Sequence, residues 1–115
     1  MLNVFGIKNC DTCRKAMKWL DAEGIDYQWS DVRVDGLSAE QVKHWLQTLG
    51  PEQLVNRRSR TWTQLTPERR PQLDSEDWLE LLLEMPTLIK RPVFVKGREV
   101  RVGFSQSNQQ WLKSA

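Results

Sequence analysis

Cys10 and Cys13 are the two cysteines of this 115-residue chain, and the spacing Cys10-Asp11-Thr12-Cys13 suits thiol chemistry. The attacking species in such chemistry is the thiolate. A sulfur at the start of a helix ionises more readily, because the first backbone N–H groups lack intrahelical partners and the helix dipole favours negative charge. Cys13 follows one helical turn later, within the span of a disulfide, so it could resolve a mixed disulfide formed on Cys10. Arg14 and Lys15 add positive charge nearby. A CxxC can also be half of a zinc site, but that needs two further ligands. With no other cysteine and only His44, a Cys/His set cannot be completed within one chain. A structural disulfide is disfavoured, since a four-residue loop removes little unfolded-state entropy. Packing of Cys13 alone stays open as an alternative, because its spacing matches an apolar helical stripe.

That stripe belongs to the element that must hold the pair. Residues 2–7 form a short apolar run ending near Gly6 and read as a first strand. Asn9, Cys10, Asp11 and Thr12 offer capping side chains, and Cys13, Ala16, Met17 and Leu20 recur on one helical face up to Gly24. Ile25, Tyr27 and Trp29 alternate with polar residues as far as Asp31, a second strand. A βαβ unit this short implies parallel strands and a right-handed crossover.

The middle of the chain reads as entirely helical. Ser38-Ala39-Glu40-Gln41 forms a capping box ahead of Val42, Trp45, Leu46 and Leu49, and Pro51 is placed to open a further short helix. After the basic run Arg57-Arg58-Ser59-Arg60, a helix carrying Trp78, Leu79, Leu81, Leu82 and Met85 is expected to be capped by Asp74 or Ser75 and closed by Pro86. Most of the six tryptophans fall at helical spacing and are assigned to packing. The last third returns to strands. Pro92–Val95 and Val100–Val102 flank a turn containing Gly97, and Ser105 to Lys113 makes a closing helix. The expected fold is therefore α/β and thioredoxin-like, β-α-β then β-β-α. It would have a four-stranded mixed sheet and a helical insertion between strands two and three. Residues 1–115 form one domain, with a core of 1–35 and 86–115 and an insert of about 36–85.

Composition agrees with a single globular domain: 39% of residues are hydrophobic and 28% charged. No run reaches the roughly 20 apolar residues that span a bilayer. The N-terminus lacks a signal-type stretch, so a cytoplasmic location is expected. Net charge is +2, yet residues 90–115 carry six basic groups against Glu99 alone. This excess could attract an anion. Arg57 to Arg60 is too short a run to argue for nucleic acid. A monomer is the default. Arg91-Pro92 precedes the third strand, where a cis bond would turn the chain sharply and offer backbone groups to an extended thiol substrate. Arg91 would then present a planar, multi-donor cation to the Cys10 region.

Two segments carry a resemblance. Phe5-Gly6-Ile7-Lys8-Asn9-Cys10-Asp11-Thr12-Cys13-Arg14-Lys15-Ala16 and Thr87-Leu88-Ile89-Lys90-Arg91-Pro92-Val93 resemble the signatures of the ArsC-type, glutathione-coupled arsenate reductase family. That family includes Spx-type regulators and the YffB-type branch, which this chain resembles most. The resemblance covers nearly the whole chain. It implies a Cys10 nucleophile with Arg91 beside it and glutathione as co-substrate rather than a bound cofactor, with no metal. Of three arginines that hold arsenate in the reductases, the resemblance carries over Arg91. The others fall at Asn56, next to Arg57 and Arg58, and at Gly103, two residues past Arg101. A tetrahedral oxyanion needs several fixed donors, so thiol reduction ranks ahead of arsenate reduction. Candidate groups for glutathione or another small thiol or anion are Asn9, Thr12, Arg14, Arg57, Pro92 and Arg101. The Spx-type branch uses its CxxC as a redox switch and docks on RNA polymerase, so a protein partner is a further implication.

Overall fold

Leu2 and Val4 lie on one face of a strand because side chains alternate with a period of two, and both are buried. The structure is a computed structural model and describes residues 1–72 and 75–114. Its first strand, β1 (Leu2–Gly6), leads through a turn into α1 (Asp11–Ala22), which crosses to β2 (Tyr27–Asp31). The β1–β2 pairing is parallel, from Leu2 opposite Tyr27 to Gly6 opposite Asp31. Ile25 does not join the strand as expected: its N–H is held by the Leu20 carbonyl at 3.0 Å in the turn that ends α1.

Towards the C-terminus, β3 (Val93–Lys96) runs antiparallel to β1, and β4 (Glu99–Val102) pairs antiparallel with β3 around a loop at Gly97 and Arg98. The last helix, α5 (Gln106–Lys113), starts at Ser105, whose hydroxyl accepts the Asn108 N–H at 3.1 Å. The sheet order is β2-β1-β3-β4 with mixed strand directions, which is the thioredoxin-like α/β arrangement. Leu2, Val4 and Phe94 on the sheet meet Ala16 and Leu20 of α1 and Leu112 of α5. Burying side chains such as Leu20 or Leu112 contributes about 1.5–3 kcal/mol each.

The chain divides into two compact units, residues 1–35 with 91–115, and residues 36–90. The second unit runs past the boundary of about 85 read from the sequence. The segment after Pro86 is tied to the end of a helix in its own unit: Asn56 N–H donates to the Leu88 carbonyl at 2.7 Å, and Lys90 N–H to that of Leu54 at 2.8 Å. Val55 and Ile89 also form an antiparallel bridge. The insert is therefore not purely helical.

Within it, α2 (Ala39–Leu54) opens on the Ser38–Gln41 capping box and kinks at Gly50 before Pro51. Ser59 caps α3 (Arg60–Gln64) by accepting the Trp62 N–H at 3.2 Å. The helix α4 (Trp78–Glu84) begins later than expected, with Asp77 at its cap position and no capping side-chain bond. Asp74, one of the two expected caps, lies outside the described residues. Ser75, the other, accepts the Asp77 N–H at 3.1 Å and so shapes the preceding turn instead. Trp45 and Trp78 are buried, and Trp78 stacks on Trp62 with ring centres 5.9 Å apart.

Candidate functional site around Cys10

The peptide before α1 is a tight turn at Lys8 and Asn9, closed by the Cys10 N–H donating to the Ile7 carbonyl at 3.1 Å. This leaves Cys10 itself at the helix cap position in an extended conformation. None of the polar neighbours expected to cap does so. Asp11 instead pairs with Arg14 one turn on, and Asn9, Thr12 and Arg14 are all exposed. No side-chain hydrogen bond of ordinary geometry caps the helix, and the Cys10 sulfur lies half-buried at its start.

Two opposing effects set the state of that sulfur. Partial burial is the largest single influence and disfavours the thiolate, but other contacts together outweigh it. They are the approach of the Cys13 backbone N–H, the Cys13 side chain, and the Arg91 guanidinium through both a hydrogen bond and its charge. The Cys10 thiol is thereby held below the ordinary cysteine range. Cys13 goes the other way. Its burial, reinforced by the neighbouring Cys10 charge and thiol and only partly offset by the Ile7 backbone and Arg91, pushes it up to about 12. One sulfur is poised to ionise and the other keeps its proton. Both are free thiols here.

The Arg91–Pro92 peptide is cis, and Pro92 is buried at the head of β3. Arg101 is engaged elsewhere in the same unit: its guanidinium lies 5.0 Å from the Trp111 ring centre, which also carries Lys96 at 4.8 Å. Arg57 is exposed in the 36–90 unit, between α2 and α3. Asn56 spends its side-chain oxygen on the Arg58 N–H at 3.1 Å. Gly103 has φ +86°, a conformation strained for any residue with a side chain, which gives a backbone reason why no arginine stands there. Among the described residues no group of three or more His, Cys, Asp or Glu could hold a metal ion. No described helix is long and apolar enough to cross a membrane.

Two residues outside the expected set shape the site. A Cβ built on Gly6 would sit 2.5 Å from Cys13 Sγ and 2.8 Å from the Trp29 ring. The absence of a side chain there is what admits the buried thiol. Its placement just before the CxxC is a signal the sequence carries. The second is Asp31, at the end of β2. Its carboxylate accepts the Lys8 N–H at 3.0 Å and the Arg33 N–H at 2.8 Å, so it anchors the turn that delivers Cys10. The backbone N–H of Lys8 is the chief reason its carboxyl titrates lower than usual.

A folded carboxyl held below its unfolded value of about 3.9 stabilises the protein above that pH and loses its advantage as pH falls through the folded value. Asp31→Ala should therefore be less stable than the parent at pH 7, with the gap narrowing below about pH 4. Urea unfolding at both pH values reads this directly; a gap independent of pH would show that the charge plays no part.

The fold and the helix-start cysteine pair define a thioredoxin-like domain with a candidate thiol site. Residues 5–112 match the ArsC family, and the chain belongs to that family. It is 41% identical to an uncharacterized protein of Haemophilus influenzae over 110 residues, covering 96% of each. It is 30% identical to the global transcriptional regulator Spx of Enterococcus faecalis, over 92% of this chain and 81% of that one. Among solved structures, a protein named YFFB superposes with a TM-score of 0.91 at 32% identity, covering 99% of this chain and 100% of the other. An arsenate reductase (ArsC) related protein from Brucella melitensis gives 0.77 at 38%, covering 96% and 92%.

Proposed function

We propose that this protein is a thiol–disulfide oxidoreductase in which the Cys10 thiolate attacks a glutathionylated thiol or a related disulfide. The observation that carries the reading is the pairing of a half-buried, acidified Cys10 with a buried Cys13 that keeps its proton. In the reaction, Cys10–S⁻ attacks the glutathione sulfur of R–S–S–G. The S–S bond breaks, R–S⁻ leaves and takes a proton from water, and Cys10 carries the glutathione. A second glutathione thiolate then attacks that glutathione sulfur, releasing glutathione disulfide and restoring Cys10–S⁻. The net exchange consumes one free glutathione thiol: R–S–S–G and GSH become R–SH and glutathione disulfide, so the disulfide passes from the substrate sulfur to the incoming glutathione. Arg91 stabilises the sulfur anion at the start and end of this cycle. Glutathione is a co-substrate in this scheme, and its carboxylates suit the basic C-terminal segment.

The test is reduction of a peptide–glutathione mixed disulfide with glutathione as donor, alongside arsenate at millimolar concentration. Turnover of the mixed disulfide supports the reading, and none across a panel of such substrates overturns it. Retained turnover in Cys13→Ser assigns the second attack to glutathione; lost turnover assigns it to Cys13 through an internal disulfide. Arsenate reduction is the second reading, favoured by likeness to the Brucella melitensis protein and by Arg91 beside Cys10. Glutathione oxidation that requires arsenate would promote it. Likeness to Spx supports a partner-binding role for the same pair; partner capture indifferent to oxidant would count against that.

A further inference from the structure

Asn108 is the buried polar side chain of the structure among the described residues, 8% exposed in the first turn of α5. Burying a side-chain amide is costly unless its hydrogens find acceptors. Both do. Nδ2 donates to the Val102 carbonyl and to the Gly103 carbonyl, each at 2.8 Å. Val102 ends β4 and Gly103 follows it, and they in turn hold the start of β3. Val102 lies opposite Val93, and the Gly103 N–H donates to the Pro92 carbonyl at 2.9 Å. Arg91 is the next residue back along the chain. A leucine of similar size would fill the Asn108 space with no polar group to desolvate, so what the amide adds is direction.

We propose that Asn108 is a positioning residue for the site: by clamping the end of β4 against Pro92, it fixes where Arg91 stands relative to the Cys10 sulfur. The proposal rests on Cys10 being the reactive sulfur, as in the function proposed above, but it does not depend on which disulfide is turned over. Asn108 acts through two backbone links, Val102 to Val93 and Gly103 to Pro92. Its influence should accordingly vanish once Arg91 has lost its charge.

The experiment is the pH dependence of Cys10 alkylation by iodoacetamide in the parent, Asn108→Leu, Asn108→Gln, Arg91→Met and the Asn108→Leu/Arg91→Met double variant. Melting temperatures are recorded for each. Asn108→Leu should slow alkylation at pH 6.5 at least about threefold and move the profile towards that of free cysteine, in the same direction as Arg91→Met. Asn108→Gln, which keeps the donor, should recover part of the rate. The double variant should be no slower than Arg91→Met alone, because both changes act on one interaction. A fall in melting temperature with an unmoved alkylation profile would reduce Asn108 to packing and overturn the proposal. So would a double variant in which the two losses multiply. Should the leucine variant not fold, Asn108→Ala is read the same way. Because alkylation needs no turnover, an inactive parent with the expected profiles would refute the reductase function and leave the positioning role standing.

Discussion

Cys10→Ser should lower mixed-disulfide turnover by at least about 10³-fold, equivalent to roughly 4 kcal/mol of lost barrier reduction. The reason is ionisation. A serine hydroxyl at the cap position meets the same Cys13 N–H and the same Arg91 guanidinium, yet those contacts cannot bring an alcohol into the range where its anion is populated near neutral pH. The fold should be untouched, since serine is a favoured helix cap. Cys13 cannot substitute for the missing nucleophile, because it is fully buried and that burial, the chief influence on it, still favours the protonated thiol once Cys10 is gone. Alkylation of the variant at pH 7 should therefore be slow under native conditions and become fast in denaturant. Rapid labelling of native Cys10→Ser would mean that Cys13 is reachable and ionised, and the division of labour between the two sulfurs would collapse.

Gly6→Ala should cost about 1–3 kcal/mol of stability, the range for overpacking a closed core. The new methyl group would fall 2.5 Å from Cys13 Sγ and 2.8 Å from the Trp29 ring, distances at which something must move. Little around it can give way. Cys13 is fully buried in α1, Trp29 packs against the sheet core, and the Gly6 carbonyl is already held by the Val32 N–H at 2.9 Å. At roughly 4 °C per kcal/mol for a domain of this size, the melting temperature should drop by several degrees. Removing the sulfur should relieve the closest contact, so Gly6→Ala combined with Cys13→Ala should be more stable than the two separate losses predict. Strict additivity, or a Gly6→Ala protein that melts with the parent, would show that the space beside Cys13 is not as tight as the geometry requires.

These two effects differ in how visible they are in the amino-acid order. The start of α1 is a local matter. Asp11 to Leu20 carry their own periodicity, and a CxxC at the head of that stripe must meet unpaired N–H groups whatever surrounds it. The strands, the Ser38 capping box and the turn at Gly97 are local in the same sense, and the order β-α-β then β-β-α follows from them. Boundaries were less legible, because they depend on partners distant in sequence. The insert extends to Lys90 only because Asn56 and Leu54 supply backbone partners for Leu88 and Lys90. Arg101 could be read from the sequence as a cation facing an anion, yet it sits over Trp111, a residue ten positions later on another element.

What the residue order determined for this protein, then, is the helix that presents Cys10 and the sheet that supports it, since both arise from short-range patterning and capping chemistry. What only the tertiary structure decided is the inequality of the two sulfurs. Cys13 is fully buried beside Gly6 of β1, and Cys10, whose thiolate the Cys13 N–H and side chain favour most from within the helix start, gains the further charge of Arg91, which returns beside it from 81 residues away in sequence. Electrostatic fields and close packing depend on distance in space, and spacing along a chain does not reveal that distance until the strands have paired.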